Sequence, residues 1–360
     1  MITEGKIKIN LYGKKSVFYN PEAELVRDID IAALQVFQGM FEGKLHVFDA
    51  MAASGVRGIR YSKEVAGLGR ITLCDKNPVA VGVIKKNIKL NKATKCRVLK
   101  SDASVLMRNE IFSFIDIDPF GSPATLMDSA ARSIYHQGAL SVSATDAGTL
   151  GGIFPDATFR KYGIRAYRTE FYPEVSVRTL ISFIMLTMSR YDRAFFPLMS
   201  FITKHYVSVF GKVEHAGKLE DLLSSFGYVM YCQKCGNRQL GRPVQRCNCS
   251  NDFEISGPLY LGAIENRKFC EDLLEELSKR DFTKIREERR LVMLLRDETE
   301  LPPFYYHMHD SPAFFGKKLP SFEDLLDVLK ESGFKAGRTH FSPLGIKTNA
   351  TVEQIVRILG

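Results

Sequence analysis

No stretch of this sequence approaches the roughly 18 uninterrupted apolar residues of a membrane-spanning helix. The first residues, Met1 to Lys6, lack the apolar segment of a secretory signal. The chain also has no repeat, no low-complexity tract and no long block of like charge, so we expect all of it to fold. These absences predict a cytoplasmic globular protein with no membrane partner.

The length and charge of the chain suggest its organisation and its partner. A chain of 360 residues predicts two or three structural units. Lys and Arg number 50 against 41 Asp and Glu, which gives a formal charge of +9. This balance favours a polyanionic partner such as nucleic acid, although many basic proteins bind none. No obligate protein partner is implied.

Five short apolar runs, each followed by a turn and a helical pattern, occupy the first half of the chain after a helix predicted from Pro21 to Gly39. The runs lead to acidic residues at their ends, namely Asp49, Asp75, Asp102, Asp118 and Asp146. Such a series forms a mostly parallel sheet, and ligands bind beyond the carboxyl ends of its strands. Two further apolar runs between residues 195 and 210 resemble a hairpin that closes the sheet.

The first strand-to-helix turn, Ala53-Ser54-Gly55-Val56-Arg57-Gly58, has small residues that allow a ligand to approach the backbone. It has two glycines where a dinucleotide site needs three, which disfavours an NAD-dependent oxidoreductase. S-adenosylmethionine carries no phosphate but has a carboxylate that an arginine can pair with bidentately. Arg57 and Arg27 fit that need.

The next two acidic strand ends complete a candidate cofactor site. Asp75 is placed to accept hydrogen bonds from ribose hydroxyls, and Asp102 to accept one from an adenine amine. Asp and Gly are also common turn residues, so each position alone has an ordinary structural explanation. Their order along successive strands favours a nucleotide-like cofactor.

The fourth strand runs directly into Asp118-Pro119-Phe120-Gly121. An exocyclic amine conjugated to a base is a poor nucleophile, so its N–H groups must be held by acceptors during attack on a methyl group. The Asp118 carboxylate and the Pro119 carbonyl are candidate acceptors, and the Phe120 ring can stack on the base. Asp-Pro also favours turns, which is the alternative explanation.

This loop resembles the Asp-Pro-Pro-aromatic loop of methyltransferases that act on base amines, but it has one proline. That difference indicates the narrower family of tRNA (guanine-N2-)dimethyltransferases. Four segments resemble that family: Val17 to Pro21 with Arg27, Ala53 to Arg60, Asp116 to Pro123, and Arg338 to Thr348.

The resemblance implies S-adenosylmethionine-dependent transfer of one and then two methyl groups to N2 of guanine 26 in tRNA. It implies that Phe18 and Phe120 sandwich the base while Asp118 holds the amine. The cofactor positions that it implies are Arg27, Arg57, Asp75, Asp102 and Ala103. Arg60 is a close alternative to Arg57.

Four of the seven cysteines lie within 18 residues, as Cys232-x-x-Cys235 and Cys247-x-Cys249. Four thiolates in this spacing are typical of a closed structural Zn²⁺ site. A disulfide is disfavoured in a reducing compartment, and a redox CxxC motif leaves the second pair unexplained. We therefore expect a zinc-binding module at about residues 230–252.

A change to charged amphipathic helix near residue 266 predicts two domains: a Rossmann-like class I methyltransferase domain over 1–265, and an α+β RNA-binding domain over 266–360. The second reads helix, hairpin, helix, a winged-helix-like order, with basic Lys335, Arg338, His340 and Lys347 on the hairpin. Two alternatives stay open: an amino-methyltransferase for another RNA or DNA base, and a non-enzymatic zinc-containing RNA-binding protein.

Overall fold

The computed structural model describes residues 1–13, 17–204, 206–215, 217 and 219–359. Its strands are β1 (Ile2–Glu4), β2 (Ile7–Ile9), β3 (Val47–Asp49), β4 (Ile71–Asp75), β5 (Cys96–Lys100), β6 (Phe112–Ile117), β7 (Ile134–Ala144), β8 (Arg193–Thr203), β9 (Tyr206–His215), β10 (Phe226–Tyr231), β11 (Arg238–Gly241), β12 (Glu254–Tyr260), β13 (Tyr306–His307), β14 (Ala336–Arg338) and β15 (Gly345–Thr348). Its α-helices are α1 (Glu24–Met40), α2 (Val56–Glu64), α3 (Pro78–Leu90), α4 (Ala103–Asn109), α5 (Ala124–Ser133), α6 (Ala147–Leu150), α7 (Pro155–Tyr162), α8 (Tyr172–Ser189), α9 (Leu219–Ser224), α10 (Arg267–Ser278), α11 (Ile285–Glu298), α12 (Phe322–Glu331) and α13 (Val352–Leu359).

A seven-stranded mixed sheet is the centre of the fold, with the strand order β5-β4-β3-β6-β7-β9-β8. Strands β3 to β7 pair in parallel, and β8 and β9 add an antiparallel hairpin beside β7. This confirms the predicted α/β sheet. The order of strands reverses between β3 and β6, and ligands bind at such a switch point. His205, at the tip of the predicted hairpin, lies outside the described residues.

Helices cover both faces of the sheet, since its parallel strands are apolar on both sides. One core contains buried side chains of α1 and α2 together with Phe269 and Leu273 of α10 and Val292 of α11. The other contains α8 and residues of α4 and α5. Helices α10 and α11 therefore pack on the seven-stranded sheet, in the same core as α1 and α2.

An N-terminal hairpin of β1 and β2 leads towards the carboxyl edge of the sheet. The buried carboxylate of Glu4 receives hydrogen bonds from the side chains of Arg27, Arg60 and Tyr19. Residues 14–16 lie outside the described residues. The hairpin is thus tied to α1 and α2 before the chain reaches Phe18.

Two smaller sheets complete the molecule. Strands β11-β10-β12 form an antiparallel sheet that carries the cysteines, and β13-β15-β14 form another, of which β14 and β15 lie between α12 and α13 in the sequence. A separate hydrophobic core begins at Tyr306 and includes Leu325 and Ile355. The side chain of Ser321 caps α12 by accepting a hydrogen bond from Asp324 N at 3.2 Å.

Within the described residues, no helix combines the length and apolar character needed to cross a lipid bilayer.

Candidate functional site

Three adjoining cavities lie at the carboxyl edge of the sheet, and Phe120 lines all of them. The first, called here the reaction pocket, also includes Phe18, Arg27, Asp49, Arg57, Asp75, Asp118 and Pro119. The second, the cofactor groove, includes Asp75, Asp102, Ala103, Pro119 and Ser122. The third, the outer pocket, has a volume of about 520 Å³ and includes Phe18, Asn20, Lys204, Tyr206 and Lys284.

The Asp118 carboxylate lies in the reaction pocket and is held by Arg57. Arg57 Nε donates to Asp118 Oδ2 over 2.9 Å. The Arg57 side chain is buried, whereas the Asp118 side chain is 21% exposed, so part of the Asp118 carboxylate is accessible from the pocket. A charge-assisted hydrogen bond fixes the direction of the carboxylate. The remaining acceptor capacity faces the pocket.

Three further carboxyl groups surround the Arg57 guanidinium from inside the protein. Arg57 Nη1 lies 2.5 Å from Asp30 and 3.4 Å from Asp116. Asp49 accepts a hydrogen bond from Gly58 N at 3.0 Å. Burial raises the pKa of Asp30 to about 7 against the opposing charge of Arg57, and burial followed by the charge of Asp116 raises the pKa of Asp49 to about 8. One guanidinium is therefore shared by Asp30, Asp116 and Asp118, and the raised pKa values of the buried carboxyls reflect burial and the sharing of a single positive charge among several acidic groups.

The expected bidentate pairing of Arg27 or Arg57 with a ligand carboxylate does not match the structure. Arg27 uses Nε and Nη2 to bind Glu4, and Arg57 uses Nε and Nη1 to bind aspartates. Two donor groups of each guanidinium are therefore already used. Carboxylates of the protein fit these donors as a ligand carboxylate would. Arg57 Nη2 is buried and has no hydrogen-bond partner among the described residues, and both arginines line the reaction pocket.

Arg60, the alternative to Arg57, points away from the cavities. Its side chain is 0% exposed and lies within hydrogen-bond distance of Glu4, Asp28 and Glu64. Burial alone would lower its pKa, but these carboxylates raise it well above the ordinary value. Arg60 thus holds the N-terminal hairpin on α2 and is not placed to contact a ligand.

The structure brings the other predicted cofactor residues to one groove. Asp75 lines both the reaction pocket and the cofactor groove, and its carboxylate accepts from Ala53 N at 3.0 Å. Asp102 is the N-cap of α4, and its pKa is lowered first by the hydrogen bond from the Ser104 hydroxyl. Ala103 follows as the first residue of the helix, where backbone N–H groups have no intrahelical acceptor.

Phe18 and Phe120 lie together but do not form an open slot. Their ring centroids are 6.1 Å apart at an interplanar angle of 69°. A base stacked between two parallel rings needs about 7 Å, or two van der Waals contacts. Phe120 is 89% exposed and Phe18 is 53% exposed, so both rings are free to turn. The predicted sandwich therefore requires the rings to separate and become parallel.

Sequence reasoning missed three residues that line the pockets around Asp118. Thr145 binds the loop, because its hydroxyl accepts from Gly121 N at 2.7 Å. Burial and the charge of Asp118 raise the pKa of Tyr206, which lines the reaction and outer pockets together with Asn20. Tyr206 lies on β9, 88 positions after Asp118 in the sequence, so no local pattern predicts that the two residues line the same pocket.

The four clustered cysteines also meet in space. Their sulfur atoms all lie within 4.8 Å of one another, and the Cys232–Cys249 and Cys235–Cys247 pairs are 3.5 and 3.6 Å apart. Tetrahedral Zn²⁺ with Zn–S bonds of about 2.3 Å requires sulfur atoms about 3.8 Å apart. The donor set and its spacing fit this ion.

A second cluster consists of Glu265, Glu298 and His340. It joins the end of α11, where Glu298 lies, to the C-terminal unit, defined here as the part of the chain from Tyr306 onward that has its own hydrophobic core. Lys347 Nζ is 3.0 Å from Glu298 and 3.3 Å from Glu174, so an ammonium group already occupies the position that a cation would take. Burial alone would raise the pKa of Glu298, but His340 and Lys347 lower it to about 2. Glu174, Glu298, His340 and Lys347 thus form a buried group of ion pairs, called here the ionic junction.

The junction corrects the prediction of a basic hairpin. The His340 and Lys347 side chains are 0% and 2% exposed, and Arg338 is paired with Glu323. The sequence pattern showed their charge but not that carboxylates of α8 and α11 would neutralise it. Of the four predicted hairpin cations, His340 and Lys347 are therefore absent from the surface, whereas Lys335 and Arg338 are exposed.

The chain is similar to known proteins over its whole length. A family model described as "TRM: N2,N2-dimethylguanosine tRNA methyltransferase" matches residues 1–360. A protein of Methanothermobacter thermautotrophicus named tRNA (guanine(26)-N(2))-dimethyltransferase is 34% identical, with 99% of this chain and 98% of that protein covered. The protein of the same name from Methanosarcina acetivorans is 36% identical, with coverages of 95% and 91%. The solved complex of Trm1 from Pyrococcus horikoshii with S-adenosyl-L-methionine is 30% identical, with a TM-score of 0.89 and 99% of both chains covered.

Proposed function

This chain belongs to the N2,N2-dimethylguanosine tRNA methyltransferase family, and from that premise we propose a role for each group in its three cavities. Its activity is S-adenosylmethionine-dependent dimethylation of N2 of guanine 26 in tRNA. The observation that carries the residue assignments is the position of Asp118: its carboxylate is oriented by Arg57 in a pocket whose mouth is flanked by two exposed aromatic rings.

The cofactor groove holds S-adenosylmethionine, which supplies an electrophilic methyl group. Asp102 would accept from the adenine amine, the Ala103 N–H would face the adenine ring, and Asp75 would accept from the ribose hydroxyls, since all three residues line this groove. The free donors of Arg27 and Arg57 bind the methionyl carboxylate by single hydrogen bonds. The buried, unpartnered Nη2 of Arg57 supports this assignment.

Asp118 accepts the N–H of the guanine amine and takes its proton as the nitrogen bonds to the methyl carbon. The methyl–sulfur bond would break in the same step, with its electron pair left on the sulfur of S-adenosylhomocysteine. The Pro119 carbonyl accepts the second N–H, and Phe18 and Phe120 hold the base by stacking. Arg57 orients the Asp118 carboxylate without touching the base. A guanine inside a tRNA helix must be flipped out to reach this pocket.

The activity is tested with methyl-labelled S-adenosylmethionine and tRNA that lacks the modification. After digestion we expect N2-methylguanosine and N2,N2-dimethylguanosine at a single position. A tRNA with adenine at position 26 is the control and should receive no label. Label on adenosine or cytidine, or transfer to DNA, would instead support another amino-methyltransferase, and no transfer at all would favour a non-enzymatic RNA-binding protein.

The stacking role of Phe120 predicts a strong effect of Phe120→Ala. Base stacking on an aromatic ring contributes about 1–3 kcal/mol, so we expect kcat/KM for tRNA to fall by roughly 5- to 150-fold. Because the ring is 89% exposed, the melting temperature should not change. Ile111→Ala removes an exposed side chain that precedes β6, at the opposite edge of the sheet, and should leave kcat/KM unaltered. An unchanged rate for Phe120→Ala would remove the ring from the binding of the base.

The cysteine cluster is proposed as a structural Zn²⁺ site in an insertion at about residues 230–252. It has four sulfur ligands and leaves no position for a substrate. The module also packs on the C-terminal unit: a Cβ atom at Gly236 would lie 2.9 Å from Ala313 N. Zinc would thus stabilise this contact as well as the loops that carry the cysteines.

Metal analysis of the purified protein should find about one zinc per chain. Cys247→Ser/Cys249→Ser should lose the metal and lower the melting temperature, whereas Cys96→Ser, outside the cluster, should retain it. A zinc-free wild-type protein that melts at the same temperature after zinc is added would refute the site.

The region 266–360 is proposed as the RNA-binding part of the chain, with a winged-helix-like arrangement of α12, β14, β15 and α13. We place the protein in the cytoplasm with tRNA as its partner.

A further inference from the structure

Helix α11 presents three exposed arginines on one face. Arg286, Arg289 and Arg290 follow the i, i+3, i+4 spacing that brings side chains together on a helix. The opposite face, with Val292 and Leu295, is buried in the core of the large sheet. Burial of that face fixes the direction in which the arginines point.

These three arginines have no ion-pair partner among the described residues. Cations on the adjacent helix α10 are paired instead: Lys268 with Asp272, and Lys279 with Glu275. The shallow groove that the arginines line, about 480 Å³ in volume, includes the half-exposed Met293 and one acidic residue, Asp297, whose carboxylate lies 2.8 Å from Arg296. The groove therefore has uncompensated positive charge.

The basic face begins next to the outer pocket. Lys284, the residue before α11, lines that pocket together with Phe18 and Phe120. Lys204, Glu22 and Glu287 also line it, and Lys204 is paired with Glu22 at 3.2 Å, so the unpaired positive charge lies on the arginines of α11. With a rise of about 1.5 Å per residue, Arg286 and Arg290 lie about 3 and 9 Å along the helix axis from Lys284. A strand whose base entered beside Phe18 would have its backbone within reach of the arginines.

We propose that Arg286, Arg289 and Arg290 bind the sugar-phosphate backbone of tRNA beside the target guanine. The inference rests on the proposed function and adds the surface that holds the substrate. Guanidinium groups match phosphate geometry bidentately, and an unpaired cluster releases counterions when it binds a polyanion. The hairpin cations His340 and Lys347 are buried and cannot supply this surface.

The test is Arg286→Ala/Arg289→Ala/Arg290→Ala, assayed for methyl transfer over a range of tRNA and salt concentrations. We expect KM for tRNA to rise by about tenfold or more, and the slope of log affinity against log salt to become shallower by about 2–3. At saturating tRNA, kcat should stay within about twofold, because no arginine of this set lines the reaction pocket.

Two further variants make the result specific. Lys268→Ala/Lys279→Ala removes paired cations from the neighbouring helix and should leave KM and the salt slope unchanged. Substitution of all three arginines by lysine keeps the charge and should restore most of the salt slope. Wild-type protein that does not methylate tRNA would refute the proposed function. Active wild type with an unchanged KM and salt slope in the alanine variant, or an equal effect in the α10 control, would refute this inference alone.

Discussion

Asp118→Asn is expected to lower the rate of methyl transfer by about 10²- to 10⁴-fold, the usual contribution of a positioned general base. Asparagine has the same shape and can still accept the hydrogen bond from Arg57 Nε, so the loop should keep its place. It cannot take a proton from the guanine amine. Single-turnover assays at saturating S-adenosylmethionine and tRNA measure the loss, and calorimetry should show cofactor affinity within a few-fold of wild type.

The matched control is Asp128→Asn on α5, which removes an acidic charge that contacts Tyr191 away from the pockets. It should change the rate by less than about twofold. If Asp118→Asn retained more than a tenth of the wild-type rate, Asp118 would not be the proton acceptor.

Arg57→Met is expected to destabilise the fold by about 3–5 kcal/mol, the typical cost of removing one partner from a buried ion pair. The Asp30 and Asp116 side chains are 0% exposed and would lose their only cation within 4.0 Å among the described residues. Urea denaturation at neutral pH measures this change. The loss should shrink as the pH falls: burial raises the pKa of both carboxyls, Arg57 opposes that rise, and carboxyls that are protonated at low pH no longer need a cation beside them.

Arg267→Met is the control for Arg57→Met. Arg267 forms a solvent-exposed pair with Glu271, and such pairs contribute about 0–1 kcal/mol. A loss below 1 kcal/mol for Arg57→Met would mean that the acidic cluster is stable without its guanidinium. The guanidinium would then be needed for the reaction pocket alone.

The sequence was sufficient to predict the sheet and the carboxylates at its edge, because these depend on local patterns. Alternating apolar runs placed β3 to β7, and the residues that follow them, Asp75, Asp102 and Asp118, line the cavities. The parallel strands put their carboxyl ends at one edge, so short motifs far apart in sequence were brought together by the topology.

What could not be predicted depends on partners distant in the chain. Glu4 fills the fork of Arg27, and Asp30 and Asp118 occupy Arg57, so arginines that fit a ligand in the sequence are largely used within the protein. The sequence indicated that His340 and Lys347 are surface cations, whereas in the structure both are buried and paired with Glu298. A sequence shows which side chains are charged, but whether a charged side chain meets an opposite charge depends on the fold.

The ionic junction of Glu174, Glu298, His340 and Lys347 has a consequence for how a nucleotide is chosen. Separating these buried groups would leave uncompensated charges at a cost of several kcal/mol, so the C-terminal unit cannot swing freely over the sheet. The distance from that unit to Asp118 is therefore constant. Under the RNA-binding role proposed for the unit, a bound tRNA would present to Asp118 only the nucleotide that lies at this distance from the bound segment.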